Sequence, residues 1–189
     1  LRLSDRPTFV PRAARSLTLE DIVSYPLPGT AIPGAIAWSP DDALVTFLLS
    51  PDRTLTRQLY ACDPNTGARH LLLAPNEGGA TEDNISLEEK LRRERARQRE
   101  LGVTQYSWAQ HANRLLVPLR GDIYIQDGAD APLRRLVAGG VTPALTPKLS
   151  PDGAWVAYVR DAELYVVPAD GSAAPRQLTH DARGTGKTN

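Results

Sequence analysis

The chain of 189 residues carries 22 basic and 22 acidic side chains, so its formal net charge is zero and no global field draws it to nucleic acid or to an anionic membrane. Hydrophobic residues make up 41% of the chain, as is ordinary for a soluble domain. No apolar run approaches the roughly 20 residues of a membrane span, and a single cysteine, Cys62, excludes an internal disulfide.

The N-terminal stretch LRLSDRPTFV has charged residues but lacks the apolar core of a signal peptide. We expect residues 1–30 to lead into a first structural repeat, and residues 17–22 to contribute a strand elsewhere in the fold. No export signal is visible, and a start at a processed end leaves secretion open.

Three stretches of the chain align with one another, beginning near residues 35, 105 and 147. Each has a short strand, a tight turn, an apolar strand, a strand with a central tyrosine, a polar turn and a last strand. The tight turn reads Ser-Pro-Asp in the first and third copies, where proline presets φ and aspartate supplies the turn chemistry. The second copy reads Ala-Gln-His-Ala-Asn and keeps the order of the elements. The expected strands end at Trp38, Trp108 and Leu149, cover 44–49, 115–119 and 155–159, surround Tyr60, Tyr124 and Tyr165, and cover 70–73, 134–137 and 176–178.

Four short strands in roughly 40 residues are typical of one β-propeller blade. We therefore predict an all-β fold, a partial β-propeller of about three four-stranded blades. A β-sandwich of unrelated hairpins is the alternative, but it does not need matching turns and tyrosines at matching offsets. Closed propellers use about four to eight blades, so the expected domain at 31–189 is an incomplete ring that requires more chain or a partner.

The spacing of the copies locates an insertion. Trp38 and Trp108 are 70 positions apart, whereas Trp108 and Leu149 are 41 apart, so the extra residues lie at 74–103. Propeller blades need no helix or long segment between them. The insertion is therefore expected to lie on a rim of the propeller or over its central channel.

Within the insertion, Ser86 and Glu89 form a capping box before strong helix formers, which predicts an α-helix at about 87–101. Its arginines have three interpretations. They are solvated charges in i,i+4 pairs, or they contact nucleic acid, or their guanidinium groups bind a carbonyl or carboxylate. Nucleic-acid contacts would need interleaved aromatic side chains, which are absent. One narrow apolar stripe is expected from Leu87, Leu91 and Leu101.

No catalytic motif is complete in the chain. It has no Gly-x-Ser-x-Gly nucleophile elbow, and His70, His111 and His180 fall in separate repeats without the spacing of metal ligands. The final GTGKTN lacks the first glycine of a phosphate-binding loop, since that position is Asp181. We therefore expect no metal and no cofactor.

The stretches LTLEDI, WSPDD, SLEEKLRRERARQ, GVTQYSW, LSPDGAWVAYVRDAELYVV and RQLTHD together resemble the N-terminal propeller of bacterial dipeptidyl peptidase IV, a serine exopeptidase of the prolyl oligopeptidase clan. The arginine-rich helix directly before GVTQYSW is the most specific of these features. The resemblance covers nearly the whole chain from Leu17 onward. It implies an eight-bladed propeller that caps an α/β-hydrolase domain, and removal of N-terminal dipeptides with proline or alanine second.

The resemblance also implies site residues and partners. The arginine that contacts a substrate carbonyl would be Arg97, with Arg93 one helical turn away as the alternative. The glutamate pair that holds the substrate's amino group is not found, because Glu88 and Glu89 belong to the helix cap. The Ser, Asp and His triad would lie in a hydrolase domain that this sequence lacks, so the chain alone should be inactive. The implied partners are peptides with a free N-terminus and that hydrolase domain, with a homodimer allowed, and the implied location is the periplasm.

Two other functions stay open. A non-enzymatic propeller similar to TolB would present its channel to partner proteins, but it leaves the inserted helix unexplained. An oligopeptidase or acylaminoacyl peptidase of the same clan would differ in substrate preference, which substrate profiling would reveal.

Overall fold

A computed structural model of the chain describes residues 16, 18–23, 32–51, 55–75, 91, 94–95 and 101–182. These residues form three sheets, here called blades 1, 2 and 3, whose strands follow chain order across each sheet. Blade 1 contains β1 (Gly34–Trp38), β2 (Val45–Leu49), β3 (Thr56–Cys62), β4 (Arg69–Leu73) and the added β5 (Leu101–Gly102); blade 2 contains β6 (Ser107–Trp108), β7 (Arg114–Leu119), β8 (Asp122–Asp127) and β9 (Arg134–Val137); blade 3 contains β10 (Leu145–Leu149), β11 (Trp155–Arg160), β12 (Glu163–Pro168) and β13 (Arg176–Gln177).

The four-strand unit predicted from the repeat is confirmed in all three copies. Neighbouring strands are antiparallel within each four-strand unit, and the added pair β3–β5 is parallel. The second and third strands of blades 2 and 3 are joined by two-residue turns, Arg120–Gly121 and Asp161–Ala162, in which both residues have positive φ. Such turns match the twist of the strands that they connect, so these hairpins are tight.

The core lies between the blades. Successive side chains of a strand point to opposite faces, so Leu115 and Val117 of β7 pack towards blade 1 with Leu48 and Leu59. Leu116, between them, packs towards blade 3 in the other cluster. Blade 2 is therefore buried on both faces, as a blade inside a propeller must be.

Blades 1 and 3 each keep an apolar face that no described residue covers. Trp38 and Leu71 of blade 1 are 53% and 48% exposed, and Trp155 and Leu178 beside blade 3 are 45% and 44% exposed. This is the exposure expected of propeller blades that have a further neighbour. The fold is a partial propeller, as predicted.

The first strand of each blade lies at the edge where the blades converge. In blades 2 and 3, β10 contacts β6 and β7. Between blades 1 and 2, the Tyr106 hydroxyl next to β6 donates a hydrogen bond to the Ala35 carbonyl of β1. Because propeller blades surround a central channel, β1, β6 and β10 are the strands nearest the axis.

Two predicted elements need correction. Residues 17–22 were expected to form a strand, but Leu19–Val23 is a short helix, α1, with a hydrogen bond from the Ile22 amide to the Thr18 carbonyl. Thr18 is a favourable residue for a helix N-cap, and the acidic Glu20 follows in the first turn. The inserted helix was expected to reach residue 101, but Leu101 lies in β5. The amide of Leu101 bonds to the Leu55 carbonyl of blade 1, which holds this residue in a strand.

Candidate functional site

The two ends of the blades differ in what they carry. The turns between first and second strands, and between third and fourth strands, lie at one end, here called the turn rim. The β2–β3 loop, the turns Arg120–Gly121 and Asp161–Ala162, and the connections between blades lie at the other end. Since β5 runs parallel to β3 and pairs with its first residues, the insertion joins blade 1 at this second end, here called the insertion rim.

The insertion leaves and rejoins blade 1 at almost the same place. Leu73, the last residue of β4, pairs with Leu59, and Leu101 pairs with Thr56, three positions away on the same edge of β3. Three residues of a strand span roughly 10 Å. The chain therefore leaves blade 1 after Leu73 and returns to it at Leu101, and the strand pairing of the blade is not interrupted.

The returning end is held firmly. The Leu101 amide donates to the Leu55 carbonyl and the Val103 amide to the Arg57 carbonyl, both at 2.9 Å. Gly102 between them has a φ of 77°, and a Cβ placed there would lie 2.5 Å from the Arg57 carbonyl oxygen. Only glycine fits this approach, and the next residue, Val103, is fully buried between blades 1 and 2.

Two polar side chains meet the first residues of β1 beside this anchor. A Cβ placed on Gly34 would lie 3.3 Å from Nη1 of Arg57, so the guanidinium reaches across blade 1 to its innermost strand. The Tyr106 hydroxyl bonds to the carbonyl of Ala35, whose φ is 50° at a β-bulge. Burial raises the pKa of Tyr106 above its ordinary value, and the protonated hydroxyl acts as the donor.

The site residues expected from the sequence belong to the insertion. Arg97 and Arg93 are outside the described residues, as are Glu88 and Glu89. Of the expected helix, Leu91, Glu94 and Arg95 are described and are helical and exposed. Since Leu101 belongs to β5, it does not extend a helical apolar stripe from Leu91.

Sequence reasoning missed the Arg57 and Tyr106 positions. One signal was available for the first of them. Gly34 lies inside a strand without a positive φ, and a strand glycine often marks a place where another group approaches closely. For Tyr106 the residues GVTQYSW were noted, but nothing in them shows which atom the hydroxyl would meet.

The turn rim has a cleft of about 370 Å³ between blades 1 and 2, with Trp108, His70 and three aspartates in its lining. Two of the three aspartates, Asp41 and Asp127, have partners within the described part of the chain. Asp41 accepts from the Ser39 hydroxyl and from Asn113, and Asp127 pairs with Arg114. One of these contacts, between Asn113 and Asp41, joins blades 1 and 2 across the cleft.

The histidines do not come together. His70 is exposed on β4, His111 lies in the turn of blade 2, and His180 follows β13. The described residues contain no group of three or more His, Cys, Asp or Glu side chains that could hold a metal ion. Within the same ranges, no helix has the length and apolar character needed to cross a membrane.

Comparison with known proteins relates the second half of the chain to one protein family. Residues 103–189 match the family model of the dipeptidyl peptidase IV (DPP IV) N-terminal region. The resemblance to the propeller region of dipeptidyl peptidase IV is confirmed. The matched region begins at Val103, where the chain leaves β5 and enters blade 2.

Solved propeller structures are similar to the chain in fold. Putative TolB from Agrobacterium tumefaciens gives a TM-score of 0.50 at 19% identity, over 80% of this chain and 48% of that one. Dipeptidyl peptidase 4 from Porphyromonas gingivalis gives 0.47 at 22% identity, over 81% and 20%. TolB from Acinetobacter baumannii gives 0.43 at 18% identity, over 72% and 29%. The chain thus spans less than half the length of each of these proteins.

Proposed function

We propose that this chain is the N-terminal propeller portion of a dipeptidyl peptidase IV-like serine exopeptidase, which positions peptides for removal of an N-terminal dipeptide with proline or alanine second. The match of residues 103–189 to the DPP IV N-terminal region carries the proposal. The proposal includes a C-terminal hydrolase domain with the catalytic triad, peptides with a free N-terminus as substrates, and a periplasmic location.

The insertion would supply the substrate contact. In the proposal, Arg97, or Arg93 as the alternative, donates hydrogen bonds to a carbonyl of the bound peptide. A cation held at a fixed distance from the scissile bond selects peptides by the number of residues between the two. The pairing of Leu101 with Thr56 and the tight approach at Gly102 support this role, because they give the insertion a fixed base on blade 1.

Turnover of a Gly-Pro chromogenic dipeptide by the full-length protein tests the proposal. Arg97→Ala should lower kcat/KM about tenfold to a hundredfold, since a lost charge-assisted hydrogen bond costs about 1.5–3 kcal/mol. Arg95→Ala is the matched control, because Arg95 is an exposed arginine of the same helix. Absence of turnover by the unaltered protein would contradict the proposed function.

The TolB-like scaffold is the second candidate. Its support is a likeness of fold at 19% identity, which propellers of many functions share. A reading frame that ends once the ring is complete, with no Gly-x-Ser-x-Gly elbow, would favour the scaffold over the peptidase.

A further inference from the structure

We propose that Arg57 is a second guanidinium at the insertion rim that binds a carbonyl or carboxylate oxygen of a peptide. This inference rests on the proposed peptidase function and adds a binding residue to it, in blade 1 rather than on the inserted helix.

The Arg57 backbone is fixed on both edges of β3. The neighbouring Gln58 pairs with Leu49 of β2 on one side, and Arg57 itself pairs with Gly102 of β5 on the other. Its carbonyl accepts the Val103 amide at 2.9 Å. A binding group is most effective when the chain that carries it is already ordered, because less conformational entropy is lost on binding.

The side chain is directed towards the axis of the propeller. Arg57 lies two positions before Leu59, so both point to the face that packs on blade 2. Gly34 pairs with Leu48, which lies on the same face. The guanidinium therefore crosses the end of β2 and covers Gly34, the first residue of the innermost strand.

Gly34 has no conformational reason to be glycine. Its φ is not in the left-handed region, and glycine weakens a strand relative to residues with side chains. What distinguishes the position is the approach of the guanidinium: a Cβ would meet Nη1 at 3.3 Å and both Cζ and Nη2 at 3.9 Å. The missing side chain leaves room for a flat group to lie against the strand.

A guanidinium in this position suits an oxygen ligand. Arg57 is half-buried and also interacts elsewhere within the chain. A guanidinium has five N–H donors in a rigid fork, so it can keep an internal contact and still bind a carbonyl or carboxylate. The Tyr106 hydroxyl donates a hydrogen bond to the carbonyl of Ala35, the residue after Gly34. It is therefore a second polar group beside Gly34 and Ala35.

The test uses the full-length protein with Arg57→Gln, Arg57→Lys and Gly34→Val, the last of which keeps the charge but occupies the space of the guanidinium. Arg120→Gln is the matched control, an exposed arginine on the same rim in blade 2. We expect Arg57→Gln and Gly34→Val to raise KM for Gly-Pro substrates about tenfold to a hundredfold. Arg57→Lys should recover part of the loss, kcat should change little, and Arg120→Gln should leave KM unchanged.

Binding of Gly-Pro acid and Gly-Pro amide, measured by calorimetry, distinguishes the two oxygen ligands. If Arg57→Gln weakens only the acid, the ligand is a carboxylate; if it weakens both equally, the ligand is a carbonyl. An unchanged KM and affinity in Arg57→Gln, or an equal loss in Arg120→Gln, would overturn the assignment while the peptidase function stands. If the unaltered protein neither cleaves nor binds these peptides, both proposals fail.

Discussion

The tight turns of blades 1 and 3 are held by hydrogen bonds between their own residues, whereas polar groups of the blade 2 turn form hydrogen bonds with both adjacent blades. In blade 1 the Ser39 hydroxyl donates to Asp41 at 2.6 Å and accepts the Leu44 amide at 2.9 Å. In blade 3 Ser150 makes the same two bonds, to Asp152 and from Trp155, at 2.6 and 2.9 Å. Each Ser-Pro-Asp turn is thus held by its own serine and aspartate, while Asp41 and the Pro151 carbonyl also accept hydrogen bonds from blade 2.

The turn of blade 2 satisfies its polar groups on both adjacent blades. The backbone amides of Gln110 and His111 both donate to the Pro151 carbonyl of blade 3. On the other side, the Asn113 amide group donates to the Asp41 carboxylate of blade 1. The polar groups of Gln110, His111 and Asn113 in the blade 2 turn thus form contacts between blades.

Contacts with blade 3 account for the departure of the middle copy from the repeat. Ala109 replaces the serine, and Gly153 of blade 3 packs against it; a Cβ on Gly153 would lie 3.2 Å from the Ala109 Cβ and 3.0 Å from the Ala112 Cβ. The residues that recur fold a blade locally. Those that differ in blade 2 join it to the blades on either side.

The largest effect is expected where this junction is tightest. Gly153→Ala should destabilise the fold by about 2–4 kcal/mol, because strain at its φ of 72° adds to overlap with two alanines that have no freedom to move away. Gly67→Ala is the matched control, since Gly67 has the same φ and open space around it. It should cost about 1–2 kcal/mol from strain alone.

Urea denaturation followed by tryptophan fluorescence measures both variants. The three tryptophans of the chain are Trp38, Trp108 and Trp155, each next to a tight turn of its blade. Equal losses in Gly153→Ala and Gly67→Ala would mean that the contact between the turns of blades 2 and 3 contributes nothing.

A pair of opposite exchanges tests whether the turns are equivalent. Ser39→Ala removes a hydroxyl that bonds to Asp41 and Leu44, and should cost about 1–2 kcal/mol. Ala109→Ser restores the serine of the repeat, yet it should also cost about 1 kcal/mol, because the hydroxyl would be buried where His111 replaces the aspartate acceptor. A more stable Ala109→Ser variant would show that the blade 2 turn is simply a degraded copy.

Much of the fold followed from the sequence because blades are built from local signals. The turn residues and the alternating strands of one copy lie within about 40 residues, and three copies repeat the pattern. The two errors arose where the pattern is not repeated. Strong helix formers were expected to continue through residue 101, but pairing of Leu101 with Thr56, distant in sequence, decided otherwise.

The candidate site was less accessible to sequence reasoning. Its described contacts join residues that are far apart in the chain, such as Arg57 with Gly34 and Tyr106 with Ala35. A hydrophobic pattern specifies which face of a strand is buried, but not which polar side chain crosses to a neighbouring strand. The family resemblance directed attention to Arg97 and Arg93 instead, and their role stays a prediction.

A double-mutant cycle between Asn113 and Asp41 should reveal a smaller effect. The hydrogen bond between them is exposed, so we expect a coupling energy of about 0.5 kcal/mol. The matched cycle pairs Asn113 with Asp152, which accepts from Ser150 and Ala154 in its own turn. That cycle should be additive. Coupling of equal size in both would indicate a general charge effect rather than a bond between blades 1 and 2.

Acid should weaken the Ser-Pro-Asp turn of blade 3. The Ser150 hydroxyl first, and then the Ala154 amide, lower the pKa of Asp152 below its ordinary value of 3.8. Over a range of acidic pH, Asp152 therefore stays charged in the folded turn while it is protonated in the unfolded chain. Its stabilising effect is complete above about pH 4 and is lost as the pH falls through the lowered pKa.

The expected change is small, because Asp152 is exposed, and it appears as a lower urea midpoint at about pH 3 than at about pH 5. Ser150→Ala removes the largest cause of the lowered pKa and should reduce this dependence, as should Asp152→Asn. His111→Asn, at the corresponding position of blade 2, should reduce it only slightly, since the charge interaction with His111 is the last and smallest of the causes that lower the pKa of Asp152. A pH dependence that survives in Asp152→Asn and Ser150→Ala alike would place the acid sensitivity outside this turn.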